Sequence, residues 1–434
     1  MAETVERGLG MVAHTGEGPF FGWRVVAGAF VLAVFGWGLG FYGPPVFLHA
    51  VREARGWPLT LVSTAVTLHF LIGAFVVANL PALYRRFGVP GVTKAGALAL
   101  ALGVYGWAVA AEPWQLLAVT VLSGGGWVAL GAAAVNAIVS PWFVRGRPAA
   151  LSMAYNGASI GGVLFSPLWV AAIAQVGFPA AAAGIGLVTV VVMWLLADLL
   201  FRATPESLGL APDGPALAAA PAAAPAPFAA PLPGRALWRN IRFVTLAAGM
   251  ALGLFAQIGL IAHLFSLLVP ALGAQYAGLA MGFATICAIA GRTLAGWLMP
   301  ANADRRRVSC LAYAIQIVGS LVFVLAAGQN VPLLLLGVAL FGSGIGNATS
   351  LPPLIAQVEF AREDVARVVA LIVAIAQASY AFAPAAFGLV RDLTQTTPGV
   401  APLFFAAAAI VQGLAIIAFL VGGRPAAARF SKPA

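Results

Sequence analysis

Arg292 stands in the stretch Ala288-Ile289-Ala290-Gly291-Arg292-Thr293-Leu294-Ala295-Gly296-Trp297, inside an apolar run from about Gly273 to Pro300. No other Lys or Arg sits so far within such a run. A charge at membrane depth costs about 2.5–3.5 kcal/mol on insertion scales, so it is usually paired or put to use. A guanidinium offers a planar fork to a carboxylate, which makes Arg292 a candidate anion anchor. The alternative is a structural arginine that snorkels to the nearer membrane face, about 12 Å away at 1.5 Å per residue.

Other polar residues in apolar runs fall at helical spacing. Ser152, Asn156 and Ser159 are spaced i, i+4, i+7 and share one helix face. They suit the polar wall of a cavity, or hydrogen bonding between packed helices. Tyr155 beside them can equally face lipid. Gln377, Tyr380 and Pro384 follow at i, i+3, i+7. That Gln–Tyr pair is costly in lipid and is expected to face inward, and the proline bends its helix. Gly259, His263 and Ser266 repeat i, i+4, i+7, with Gln257 just before them. An imidazole such as His263 or His69 can relay a proton near neutral pH, or can sit neutral on a backbone or serine partner. Gly36, Gly38, Gly40 and Gly43, followed by Pro44-Pro45, mark a thin and bendable helix, with Tyr42 at its bend.

These positions need a membrane to hold them. The 434 residues are 62% hydrophobic and only 8% charged, against about 25% charged in a soluble domain. The net charge of +10 then belongs to basic loops facing the cytoplasm and anionic lipid rather than to nucleic acid. Cys287, Cys310 and four scattered histidines show no metal spacing, and there is no Walker A sequence. No cofactor and no catalytic constellation is implied. Residues 1–20 lack the basic region of a cleavable signal, so the first apolar run is expected to be retained.

A window of about 20 apolar residues predicts twelve spans. They cover residues 21–48, 58–80, 92–111, 114–140, 148–173, 178–201, 240–270, 274–299, 308–328, 331–358, 365–391 and 399–422. Of the 23 Lys and Arg, 19 fall on one side of this topology and 3 on the other, with Arg292 between. The basic side is expected to be cytoplasmic, with both termini there. Residues 202–239 run into Ala and Pro and read as a flexible linker. The chain thus divides into a tail at 1–20, a six-helix bundle at 21–201, the linker at 202–239, a second bundle at 240–422 and a tail at 423–434. The halves echo one another, with Arg85-Arg86 after the second span and Arg305-Arg306-Arg307 after the eighth. Two related bundles around a midplane site are the plan of a secondary transporter.

This plan resembles the major facilitator superfamily. Two tracts look like its monocarboxylate transporter and oxalate/formate antiporter branch. One is Phe21-Gly22-Trp23-Arg24-Val25-Val26. The other runs from Trp142-Phe143 through Arg147-Pro148-Ala149-Ala150-Leu151-Ser152 to Gly157-Ala158-Ser159-Ile160-Gly161. The resemblance implies that Arg292, in the eighth span, binds a substrate carboxylate. Three departures stand out. Ala288 replaces an aspartate that animal members pair with that arginine, Pro45 replaces a lysine, and Gln377 stands in a span where the oxalate antiporter carries a lysine. One basic centre suits a monoanion. Pro81 and Arg85-Arg86 replace the superfamily's usual Gly and Asp-Arg after the second span.

The expectation is an all-α membrane protein of twelve transmembrane helices in two six-helix bundles, a monomeric transporter in a bacterial inner membrane. Its cargo would be a small organic anion, a monocarboxylate, with or without a proton. Arg292, Tyr42, Asn156, His263, Gln377 and Tyr380 would line the site. No Asp or Glu lies in the middle of any span, so a proton would travel through His263 or His69 or with the substrate. Exchange and facilitated diffusion stay open. A hydrophobic-compound efflux pump and a non-transporting receptor are the competing readings.

Overall fold

The computed structural model describes residues 20–144, 146–213, 234–299 and 303–423. Most of the expected tails and linker lie outside these residues, as do Arg7, Arg145, Arg424, Arg429 and Lys432 of the charge count.

Among the described residues, ten helical segments are long and apolar enough to cross a membrane. Two of them, Ala149–Leu199 and Ile241–Gly296, hold 51 and 56 residues, more than twice the length of one crossing. Each turns at a single glycine, Gly177 with φ 77° and ψ 159° and Gly273 with φ 75° and ψ 160°. Only a residue without a Cβ adopts that backbone readily. Ten segments and two internal turns give twelve passes, here numbered as spans 1 to 12. Span 1 is Phe21–Gly40 with Gly43–Arg55. Spans 2 and 3 share Leu59–Val109 and part at Gly88, and span 4 is Pro113–Trp142. Spans 5 and 6 share Arg147–Leu199, and spans 7 and 8 share Ile241–Leu298. Spans 9 and 10 are Arg305–Ala326 and Val331–Glu359. Span 11 is Arg362–Ala381 with Ala383–Thr394, and span 12 is Pro402–Gly422.

Spans 1–6 form one bundle and spans 7–12 the other. At the basic end each bundle is tied by a cation at the start of its third helix. Lys94 Nζ donates to both oxygens of Asp198 at 2.7 Å, joining spans 3 and 6. Arg306 is fully buried and forms a bidentate pair with Glu359 at 2.6 and 2.8 Å. It also donates to Thr245 Oγ1 and to the carbonyls of Arg242 and Phe419, so every charged face finds a partner.

Span 1 is broken where the glycine and proline pattern suggested. Pro44 and Pro45 have no N–H to give, so the carbonyls of Gly40 and Phe41 lose their helical partners. The amides of Phe41 and Tyr42 both turn to Trp37 O, which leaves Gly38 O without Tyr42. Side chains from neighbouring spans supply donors to two of these three carbonyls. His69 Nε2 donates to Gly40 O at 2.9 Å, and Trp169 Nε1 donates to Gly38 O at 3.2 Å. The other nitrogen of His69 accepts from Ser123 Oγ at 2.9 Å, and that oxygen also takes Trp107 Nε1–H. An unpaired buried backbone group costs about 1–3 kcal/mol. His69→Leu is therefore expected to lower stability by about 2 kcal/mol, read as a fall in melting temperature. An unchanged transition would show that Gly40 O finds another donor.

The expected linker begins as folded chain. Thr204 and Ser207 exchange hydrogen bonds across a short turn. Asp213 then closes onto the loop between spans 4 and 5. Its N–H donates to Trp142 O at 2.9 Å, and its Oδ1 accepts from the amides of Val144 and Gly146 at 3.0 Å. Residues 202–213 thus belong with the first bundle, and the Ala/Pro tract that follows from 214 lies outside the described residues.

Candidate functional site

The two bundles touch at the end away from the basic residues. Span 2 meets span 11, where Thr67 Oγ1 accepts from Ala385 N at 3.0 Å and Ser63 packs on Gly388. Ala385 is just past the break that Pro384 makes in span 11, so a side chain of one bundle caps a helix of the other. Span 5 meets span 8, where a Cβ at Gly282 would lie 3.1 Å from Val163 O, and one at Gly278 would lie 2.9 Å from Val170. His49 of span 1 packs edge-on against Phe265 of span 7 at 5.3 Å.

Toward the basic end the same helix faces part. Ser152, Asn156 and Ser159 continue the stripe of Val163, Ser166 and Val170 along span 5. Ser159 is buried, whereas Asn156 and Ser152 are exposed. Along span 11, Gln377 is half-buried and Val373 is exposed. A cleft therefore opens between the bundles at the basic end and closes toward the other.

Arg292 lies in this cleft. In span 8 the side chain leans toward the helix N-terminus, away from the basic end. It lies across span 10 at Gly346, where an added Cβ would stand 2.8 Å from Arg292 Nε. Asn347 beside it reaches Gly291 O at 3.4 Å, which fixes the two helices against each other. Arg292 Nε is buried without a hydrogen-bond partner, and none of the ion pairs among the described residues includes Arg292. Its electrostatic neighbour is Tyr42, from the break in span 1. Tyr42 in turn bonds the side chain of Thr285, one bundle across from it. Gly162 of span 5 makes room for that meeting, since a Cβ there would stand 2.6 Å from Tyr42 Cζ and 2.7 Å from Thr285 Oγ1.

The remaining expected site residues divide. Tyr380 is half-buried and packs edge-on against Phe70 across the bundle boundary at 5.9 Å. Gln377 and Asn156 border the cleft nearer its mouth. His263 is fully buried, donating through Nε2 to Pro384 O at 2.9 Å and resting on the ring of Phe404. In this state it offers no surface to the cleft. His69 is likewise buried and fully engaged by Gly40 and Ser123. Tyr155 turns to span 4, where it meets Asn136 and donates to Ala132 O at 2.9 Å. Sequence reasoning missed Thr285, which looks like any small residue of an apolar helix. It also placed Arg391 simply at a span end. Arg391 is in fact buried, with Nη1 on Ser266 Oγ at 2.5 Å and Nε on Gln395 Oε1 at 2.6 Å.

The profile of the Major Facilitator Superfamily matches residues 26–384. The chain belongs to this superfamily. MFS-type transporter 1 of Ophiocordyceps sp. (strain BCC 1869) is 27% identical over 365 residues, covering 80% of this chain and 74% of that protein. MFS transporter asaE of Aspergillus flavus is 30% identical over 174 residues, 37% of each chain. Among solved structures, the nucleoside transporter NupG aligns with a TM-score of 0.68 at 13% identity, over 93% of this chain and 98% of its own. A bacterial homologue of the human lysosomal transporter Spinster, captured inward-facing and occupied, aligns with a TM-score of 0.66 at 13% identity, over 94% and 97%. At such identities the structures speak for the fold alone. As a member of the superfamily, the chain is a multi-pass membrane transporter of small molecules.

Proposed function

We propose that this transporter moves a small organic anion, a monocarboxylate, by alternating access, with Arg292 holding the carboxylate. The observation that supports the reading is a half-buried guanidinium facing the cleft, with a buried Nε that lacks a partner and no carboxylate paired to it among the described residues. A carboxylate entering from the cleft would complete that fork. Tyr42, Tyr380, Gln377 and Asn156 would line the path. The 19 to 3 bias of Lys and Arg supports a cytoplasmic basic end with the cleft facing inward; the membrane of this proposal is a bacterial inner membrane. The resemblance to the monocarboxylate and oxalate/formate branch supports a carboxylate at Arg292, and the absence of that branch's further lysine at Pro45 and Gln377 suits a monoanion.

Uptake of labelled lactate into proteoliposomes, by wild type and by Arg292→Ala, tests this directly. Drug efflux is the second reading, favoured by the aromatic side chains of the cleft, and it predicts transport of lipophilic cations with Arg292 merely structural. Transport of such cations, and not of acids, would replace the proposal.

A proton, where one moves, would travel with the acid itself, because His263 and His69 are both buried away from the cleft and engaged by backbone carbonyls. His263→Gln is therefore expected to leave the pH profile of uptake within about two-fold of wild type. Loss of the pH dependence in that variant would make His263 the carrier.

A further inference from the structure

We propose that the carboxylate held by Arg292 is carried on a planar aromatic ring. The inference rests on the anion reading above and adds the body of the substrate to its charged end.

The wall that faces Arg292 is a continuous series of aromatic contacts. Tyr155 meets Trp37 at 6.3 Å with planes 88° apart. Trp37 meets Trp127 at 5.4 Å and 86°, and Trp127 lies 6.3 Å from Phe41. Phe41 meets Tyr42 at 5.1 Å and 82°, and Phe70 at 6.1 Å. Phe70 meets Tyr380 of the other bundle at 5.9 Å and 85°. The series begins on span 5, passes through spans 1, 4 and 2, and ends on span 11. It therefore runs round the cleft from one bundle to the other, with Tyr42 next to Arg292.

Helical phase sets its direction. Trp37 lies nine residues after Gly28, half a turn round the helix at 100° per residue. Gly28 packs against Leu200 and Phe201 at the end of span 6, on the periphery of the bundle. Trp37 and Phe41, four residues apart, thus point the opposite way, into the cleft. Trp37, Phe41, Tyr42, Tyr155 and Tyr380 are all half-buried, so each keeps part of its ring surface open.

Rings in this setting present both edges and faces. An aromatic guest gains from edge-to-face and offset contacts beyond the burial that a saturated ring of the same size would give. A short aliphatic acid such as lactate would satisfy Arg292 and leave most of the wall uncovered. A neutral arene would cover the wall and leave the guanidinium unpaired in the cleft. An aromatic monocarboxylate does both at once.

Equilibrium dialysis at neutral pH, with the protein in lipid nanodiscs and empty discs as the blank, tests the pairing. The probes are benzoate, cyclohexanecarboxylate, benzamide and lactate. Benzoate is expected to bind about ten-fold more tightly than each of the other three. Arg292→Gln is expected to abolish benzoate binding. Trp37→Leu and Phe41→Leu are each expected to weaken benzoate more than cyclohexanecarboxylate, bringing their ratio to about two-fold. If cyclohexanecarboxylate or lactate binds as well as benzoate, and Arg292→Gln removes all three, the aromatic proposal fails and the anion reading stands. If benzamide binds as well as benzoate and Arg292→Gln changes neither, the anion reading itself fails. A protein that keeps its melting transition but binds none of the four overturns both.

Discussion

Arg292→Ala is expected to lower the kcat/KM of lactate uptake by about 100-fold or more, because truncating one partner of a buried charge pair costs about 2–5 kcal/mol. Among the described residues the guanidinium has no carboxylate partner to lose, so the effect falls on the substrate rather than on folding. Its Nε lacks a partner even in the wild type, and removing it leaves no other group stranded. The melting temperature should therefore move by only a few degrees, and in the upward direction if at all. Arg292→Lys keeps a charge but loses the fork, and should recover only part of the rate. Full uptake by Arg292→Ala would return this arginine to a structural role. A collapse of thermal stability in the variant would do the same.

Gly388→Trp is the second large effect. The sealed end is built on close approach, and a Cβ at Gly388 would already stand 2.5 Å from Ser63 Oγ and 2.7 Å from Ser63 Cβ. An indole there cannot be housed while spans 2 and 11 touch. Overpacking costs about 1–3 kcal/mol or more, and each 1.4 kcal/mol moves a two-state balance about ten-fold. The sealed state should become the minor one. Thr67→Cys, in a background where Cys287 and Cys310 are alanine, reports this through alkylation by a membrane-impermeant maleimide. Labelling from the far side should rise about ten-fold or more when Gly388→Trp is added, and net uptake should fall. Unchanged labelling in a folded protein would show that span 11 yields without the bundles parting.

Sequence alone went far with the architecture because a bilayer imposes a strong rule. Every backbone polar group must be satisfied, so each crossing is a helix of known length. Gly177 and Gly273 end their helices as a Gly-specific backbone requires. Pro44-Pro45 pointed to the break in span 1. What repaired the break was not legible, because His69 and Trp169 come from spans 2 and 5. The same limit applied to the site. Arg292 was visible as an isolated charge, but Thr285 and Gly162 matter only through their meeting with Tyr42. His263 sat at tempting spacing, yet the bend at Pro384 presents it a carbonyl and encloses it. The aromatic wall is spread over five spans, and no local pattern marks it.

The closure at Asp213 bears on how the chain is made. Domains emerge from the ribosome in order and fold as units. The aspartate that fastens the loop between spans 4 and 5 is encoded after span 6 and before span 7. The first bundle thus carries its last stitch ahead of span 7 in the chain, and can finish at the translocon before the second bundle is made. The second bundle would then insert beside a completed partner.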